Sequence, residues 1–210
     1  MSMSQAHSKS NLLIVLSAPS GAGKTTICNG LLAGDPRIVR AVTCTTRSPR
    51  PGERDGVDYH FLTPAIFEQK VQAGEFLEHA QVFGNRYGTL KAEVLGKFRQ
   101  GHDVLLNIDV QGAESIRAAA EQDADLARAL VSVFLCAPSV AVLEKRLHNR
   151  GQDAPEVIQR RLLEARNEMA QWRRFQYLIL SGTVEDDLRR MQAIVTAERL
   201  RAHRATAPEF

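Results

Sequence analysis

The stretch LLIVLSAPSGAGKTT, residues 12 to 26, decides how the rest of the chain is read. Leu12 to Leu16 form a continuous apolar run ended by a Gly/Pro/Ser turn, which predicts a short buried strand. Thr25 to Leu32 predict a helix. Between them, Ala18 to Thr25 follow the pattern GxxxxGK[ST], with Ala18 in place of the first glycine. Small residues there let successive backbone N–H groups curl around a phosphate, and a helix N-terminus adds partial positive charge. Lys24 is placed to reach β- and γ-phosphates and the Thr25 hydroxyl to reach Mg²⁺. The candidate phosphate loop therefore runs Ala18, Pro19, Ser20, Gly21, Ala22, Gly23, Lys24, Thr25 and Thr26. The plainer reading is a glycine-rich turn with a surface lysine. Strand, loop and helix in this order favour a nucleoside triphosphate site, but the loop alone does not separate kinase from GTPase or motor.

The chain around this motif alternates between strand and helix. Further buried strands are predicted at 102–109, 131–136 and 177–180, and helices from about Ala113, from Ser139 to about His148, at 156–174 and at 185–203. Buried strands alternating with helices predict a parallel α/β sheet with helices on both faces. The rhythm breaks at 43–98, where turns, aromatics and polar residues are denser. Within it, 41–46 and 59–62 suit strands, 47–58 a loop, 64–73 a helix, 74–90 short strands and turns, and 91–100 a helix. The expected organisation is a polar lead-in at 1–10, a core made of 11–42, 99–145 and 176–210, an inserted domain at 43–98, and a smaller mobile element at 146–175 that begins around RGQDAP.

Composition excludes several classes. In 210 residues, Lys and Arg total 27 and Asp and Glu 24. A net charge of +3 is too mild to argue for nucleic acid. Arg far outnumbers Lys, and a guanidinium is the better fork for phosphate oxygens. The apolar runs LLIVL and YLIL are far too short to span a bilayer, and MSMSQAHSKS has no apolar signal segment. Cys28, Cys44 and Cys136 form no metal-ligand pattern and fit a reducing, cytoplasmic setting. Small buried side chains are their expected role, although Cys44 lies beside a candidate site. The basic end RLRAHR is expected to be a solvated helix face.

The inserted region carries the more specific chemistry. In TTRSPRPGERDGVDYHF, residues 45–61, Arg47 and Arg50 stand three apart in a stiff loop and can clamp a phosphate dianion, with Tyr59 adding a hydroxyl. GEFLEHAQVFGNRYGT, residues 74–89, supplies Glu78, Tyr87 and Thr89. A carboxylate can accept from guanine N1–H and N2–H₂ together, whereas adenine presents an acceptor at N1. The competing roles are solvated loop charges for the arginines, packing for the tyrosines and a surface carboxylate for Glu78. Asp109 to Gly112 also read DxxG, a GTPase element, but no NKxD follows to read guanine.

These two strings, with SAPSGAGKTT, IDVQGA and the pattern from LCAPS to RR, make the chain resemble the bacterial-type guanylate kinases over about residues 11 to 203. The TTRxxRxGExxGxxYxF string is far more specific than the phosphate loop. The resemblance implies a P-loop kinase core with a GMP-binding insertion and a lid, which moves the γ-phosphoryl of ATP to GMP with Mg²⁺. It implies that Arg47, Arg50, Tyr59 and Tyr87 hold the GMP phosphate, while Thr43, Glu78 and Thr89 face guanine. It places Asp109 near the base and the magnesium shell. It assigns Arg146, Arg150 and Arg161 to the lid and its hinge, closing on the ATP phosphates. Lys24, Arg47 and these three lid arginines are the expected catalytic set.

Two positions depart from that family. Asn107-Ile108-Asp109 stands where members often read Asp-Ile-Asp, and Ser181-Gly182 stands where they often carry Asn-Asp near the ATP base or ribose. Two rivals remain. One is a non-catalytic guanylate-kinase-like module binding phosphopeptides, which typically lacks the phosphate loop and lid arginines that this chain keeps. The other is a kinase of a phosphorylated sugar, which should lack the TTRxxR and GEFLE-like strings. ATP and GMP are thus the expected partners, with no nucleic acid and no membrane. The oligomeric state stays open, a homodimer included.

Overall fold

A computed structural model describes residues 11–19, 21–82, 84–149 and 155–204. The lead-in at 1–10, Ser20, and the stretch at 150–154 with Arg150 lie outside the described residues. In chain order the elements are β1 Leu13–Ser17, α1 Lys24–Gly34, β2 Ile38–Arg40, β3 Cys44–Thr45, β4 His60–Phe61 and α2 Pro64–Gln72. Then come β5 Phe76–Val82, β6 Asn85–Leu90, α3 Lys91–Arg99, β7 Asp103–Asn107, α4 Val110–Gln122 and α5 Ala124–Ala129. The chain continues through β8 Leu130–Cys136, α6 Val140–Asn149, α7 Pro155–Met169, β9 Tyr177–Leu180 and α8 Val184–Arg199. Single 3₁₀ turns follow α7 and α8 at Ala170–Arg174 and Ala202–Arg204.

A five-stranded parallel sheet runs in the order β2-β7-β1-β8-β9. Its central strand is β1, the run that precedes the phosphate loop. Alternate residues of that run serve opposite faces, as strand geometry requires. Leu12, Ile14 and Leu16 pack with Ile27, Cys28 and Leu31 of α1 and Met191 and Val195 of α8. Leu13 and Val15 pack with Val94 of α3, Ala113 and Ile116 of α4, and Phe134 and Phe175. Both faces are covered, which is why the run reads as continuously apolar. An ionic knot fastens the start of β7 to both helices of the first face. Asp103 accepts from Leu12 N–H at 2.8 Å and from Arg199 Nε at 2.7 Å, and Arg199 also pairs with Asp35 beyond α1. Arg37 and Arg199 hold the Asp35 carboxyl well below the usual carboxylate range.

A second sheet of four strands, ordered β4-β3-β6-β5, lies within the region richer in turns. The β5–β6 hairpin is its largest piece. Cys44, Phe67 and Phe76 form its small core, with the two phenyl rings stacked at 4.5 Å.

Several local expectations are corrected. The strand predicted at 41–46 shrinks to Cys44–Thr45, and β2 and α5 were not foreseen. The helix predicted from Ala113 begins at Val110, because the Asp109 side chain accepts from Gly112 N–H at 2.9 Å and caps it. YLIL is not a fully buried strand. It is the sheet edge, and Leu180 is 54% exposed. The basic end is not simply solvated: Arg204 is buried, paired with buried Glu198, and donates to the carbonyl of Arg128. All three cysteines are buried and free.

Candidate active site

The phosphate loop leaves the C-terminal end of β1, where ligands of open parallel sheets bind. Gly23 caps α1 with φ of 96°, a left-handed conformation that glycine adopts without strain. The Gly23 carbonyl accepts from Thr26 N–H at 3.1 Å and Ile27 N–H at 3.3 Å, which closes the first turn of α1. Lys24 opens the helix and its Nζ donates to the carbonyl of Ile108 at 2.9 Å. That bond stretches the lysine across the loop to the end of the neighbouring strand β7. Burial pushes its ammonium below the usual lysine range, opposed by the charges of Asp109 and Glu168. Thr25 and Thr26 follow on the exposed side of the first turn.

A cleft of about 580 Å³ opens over this loop. Ala18, Pro19 and Gly21 to Thr26 form its floor. Asp109, Val110 and Gln111 supply one wall, Gln81 and Val82 of β5 another, and Glu164, Asn167 and Glu168 of α7 a third. Sequence reasoning missed the α7 residues. Their spacing puts them on one helix face, a signal that could have marked a shared surface but not what it faces.

The predicted acceptor residues fall into two clusters on the second sheet. In the first, Arg47 makes a forked pair with Glu53, at 2.8 and 2.9 Å, and donates to the carbonyl of Ser48 at 2.7 Å. Its guanidinium lies 5.5 Å over the Tyr59 ring, and Tyr59 meets Tyr87 edge-on at 6.2 Å. The Glu53 and Tyr87 contacts hold the Arg47 guanidinium above its ordinary range. Arg50 gives its backbone N–H to Glu53 at 2.7 Å and leaves its side chain exposed. One carboxylate, Glu53, therefore braces both Arg47 and Arg50.

The second cluster centres on Glu78. Its side chain is buried, 4% exposed, and accepts from the Thr89 hydroxyl at 2.7 Å across the β5–β6 pair. Burial, and then the charge of Asp109, push its carboxyl up to about 7, against the hydrogen bonds from Thr89. Glycine at 112 is a steric need: a Cβ there would lie 2.7 Å from Glu78 Oε2. Asp109 thus stands in electrostatic reach of both Lys24 and Glu78, joining the phosphate loop to the second sheet. Thr43 precedes β3, gives its carbonyl to His60 N–H, and does not hydrogen-bond Glu78 or Thr89.

Of the predicted lid arginines, Arg146 of α6 reaches the loop, with Nη1 3.5 Å from the carbonyl of Ala22. Arg161 is half-buried on α7. Arg150 lies outside the described residues.

A parallel α/β sheet with a phosphate loop at the end of its central strand, facing a second sheet of arginine, tyrosine and carboxylate, defines a P-loop kinase. A sequence model described as guanylate kinase matches residues 10–198. The guanylate kinase of Paramagnetospirillum magneticum is 46% identical over 204 residues, covering 97% of this chain and 92% of the relative. That of Cereibacter sphaeroides is 45% identical over 193 residues, covering 92% and 89%. Among solved structures, guanylate kinase from Anaplasma phagocytophilum superposes with a TM-score of 0.73 at 31% identity, covering 95% of this chain and 92% of that one. The chain belongs to the guanylate kinase family, whose members phosphorylate GMP with ATP. The phosphopeptide-binding module is not favoured by these relatives.

Proposed function

We propose that this protein transfers the γ-phosphoryl of ATP to GMP across the cleft above the phosphate loop, with the residues described taking the following parts. The observation that carries the reading is Glu78. A buried carboxylate has one oxygen taken by Thr89, and Asp109, on the wall of the cleft over the phosphate loop, is coupled by charge both to it and to Lys24. Such a carboxylate is costly unless a partner uses it. A guanine edge, with adjacent N1–H and N2–H₂ donors, is that partner, and Thr43 and Thr89 flank it. Arg47, Arg50, Tyr59 and Tyr87 take the GMP phosphate. Ala18 to Thr26, Ser20 included, take the ATP phosphates.

The monophosphate brings its own nucleophile, because its second pKa is about 6 and it is mostly dianionic at neutral pH. No general base is required. The protein must align that oxygen with the γ-phosphate and neutralise the charge that shifts in transfer. Lys24, freed from the Ile108 carbonyl, and Arg146, Arg150 and Arg161 supply that neutralisation.

The donor set fits magnesium. Thr25 offers a hydroxyl and Asp109 a carboxylate, both lining the cleft, and Mg²⁺ is ordinarily held by one or two protein oxygens plus substrate phosphates. No group of three or more His, Cys, Asp or Glu side chains forms a metal cage among the described residues. When bound, the ion would offset charge on the ATP phosphates. The second sheet lies wholly within 43–98, which supports reading that region as the GMP domain, 146–175 as the lid with its hinge helix, and the remainder as core. Three buried thiols suit a cytoplasmic enzyme. No helix among the described residues is long and apolar enough to cross a membrane.

The test is ADP release from ATP and Mg²⁺ with GMP, AMP, CMP or UMP as acceptor. Turnover with GMP alone is expected. Comparable turnover with another monophosphate would refute the guanine assignment, and GMP binding without turnover would refute the kinase reading.

A further inference from the structure

We infer that Ser181 and Asp187 are positioning residues for Arg146, an inference that rests on Arg146 acting on the donor nucleotide as proposed above. Ser181 directly follows β9, and Asp187 lies in the first turn of α8. Both are buried, Asp187 to 3% exposure. The Ser181 hydroxyl is 2.9 Å from Arg146 Nη1 and 2.7 Å from Asp187 Oδ2.

A serine hydroxyl has one hydrogen, a guanidinium only donates, and an ionised carboxylate only accepts. One arrangement satisfies all three groups. The hydroxyl hydrogen goes to Asp187, and the oxygen lone pair is turned to Arg146. Asp187 therefore sets the polarity of Ser181. The carboxylate is itself fixed, since its other oxygen accepts from Gly182 N–H at 2.9 Å, with Arg190 3.7 Å away.

Held this way, the Arg146 guanidinium spans from the phosphate loop to the loop after β9, 3.5 Å from the carbonyls of Ala22 and Gly182. It forms part of the wall of an adjoining cleft of about 340 Å³, with Thr26, Ile27, Ser181 and Val184. A long arginine side chain loses much rotamer freedom on being ordered. The relay orders it before the nucleotide arrives, which is how a charge is preorganised for catalysis. Ser181 and Asp187 need not touch substrate to do this.

The test is a double-mutant cycle in steady-state kinetics with ATP and GMP, with thermal melting of every variant. Ser181→Ala removes the acceptor. In Asp187→Asn the amide oxygen can keep the Gly182 N–H, but its NH₂ then faces Ser181, so the hydroxyl hydrogen loses the acceptor that set its direction and the amide competes with Arg146 for the serine oxygen. Each is expected to lower kcat by roughly ten- to a hundredfold and leave KM for GMP unchanged. Ser181→Thr keeps the hydroxyl and should restore kcat. In an Arg146→Ala background neither change should lower kcat further. Should Asp187→Asn fail to fold, Ser181→Ala carries the cycle alone, since it removes a single oxygen.

Wild-type kcat in Ser181→Ala overturns the inference, as does a loss that persists undiminished without Arg146, because both would leave a structural role only. Wild-type kcat in Arg146→Ala itself would overturn the assignment of Arg146 and this inference with it. The two failures are thereby distinguishable.

Discussion

The two sides of the proposed site are built by different means. On the acceptor side, side chains are fixed by other side chains on strands and a braced loop: Glu78 by Thr89, Arg47 by Glu53, Tyr59 against Tyr87. On the donor side, the loop proposed to hold phosphates offers backbone N–H groups and one lysine, and Arg146 and Arg161, two of the arginines proposed to act there, stand on α6 and α7. The difference follows the chemistry. A phosphate looks alike from many sides and can be held by N–H groups in a curl. A guanine edge has a pattern of donors, and reading it needs acceptors at set positions on a rigid frame. Damage to the donor side should therefore cost rate with any acceptor, and damage to the acceptor side should cost discrimination.

The largest effect is expected at Lys24. Lys24→Ala removes the cation proposed to meet the transferred phosphoryl group and should lower kcat by at least about 10²- to 10³-fold, with GMP binding retained. Calorimetry for GMP and a turnover assay separate the two quantities. Loss of GMP binding with residual turnover would mean that the halves are not independent.

On the acceptor side, Glu78→Gln replaces one acceptor by a donor against the guanine edge. The kcat/KM for GMP should fall roughly ten- to a hundredfold, as expected for a lost hydrogen bond to a charged group, while that for AMP holds or rises. An unchanged GMP to AMP ratio would remove Glu78 from base recognition. Gly112→Ala should act in the same direction and more weakly, because the added Cβ would press on Glu78 Oε2.

The same contrast explains what was legible in the sequence. The phosphate loop and the arginine string are contiguous motifs, so their chemistry can be read locally. The pairing of Glu78 with Thr89 is set by the β5–β6 register, and β5 carries polar residues such as His79 and Gln81 that mask its strand character. The region could be read only as short strands and turns. The α7 wall of the cleft was legible as a helix but not as a cleft wall, since that depends on how the helix packs. YLIL looked like the other apolar runs because composition does not reveal which strand is last in the sheet. Arg204 looked solvated because its partner Glu198 sits on the preceding helix, facing inward with Tyr177. Ser181 and Gly182 could be noted as departures, but the relay through Asp187 to Arg146 emerges only in three dimensions.

The last effect is a dependence on pH, graded over the titration of one group, and it separates the two sides without breaking either. The Glu78 carboxyl is raised from 4.5 to about 7. Only the ionised form offers two acceptors to guanine, so kcat/KM for GMP should fall by about tenfold for each unit of acidification below that value. The GMP phosphate also titrates near 6, but Glu78→Gln retains that titration and loses the other, so the difference between the two profiles isolates Glu78. Stability moves the opposite way. A carboxyl whose folded pKa lies above its unfolded one favours folding fully below 4.5, and that contribution is lost as pH rises through about 7. At about 1.4 kcal/mol per pKa unit, the interval corresponds to roughly 3 kcal/mol. Without GMP, Glu78→Gln should therefore melt above the wild type at pH 8 and lose that advantage at pH 5. If the variant melts below the wild type at both pH values, the carboxylate is held by the protein for its own stability, and the acceptor side is not strained in readiness for guanine.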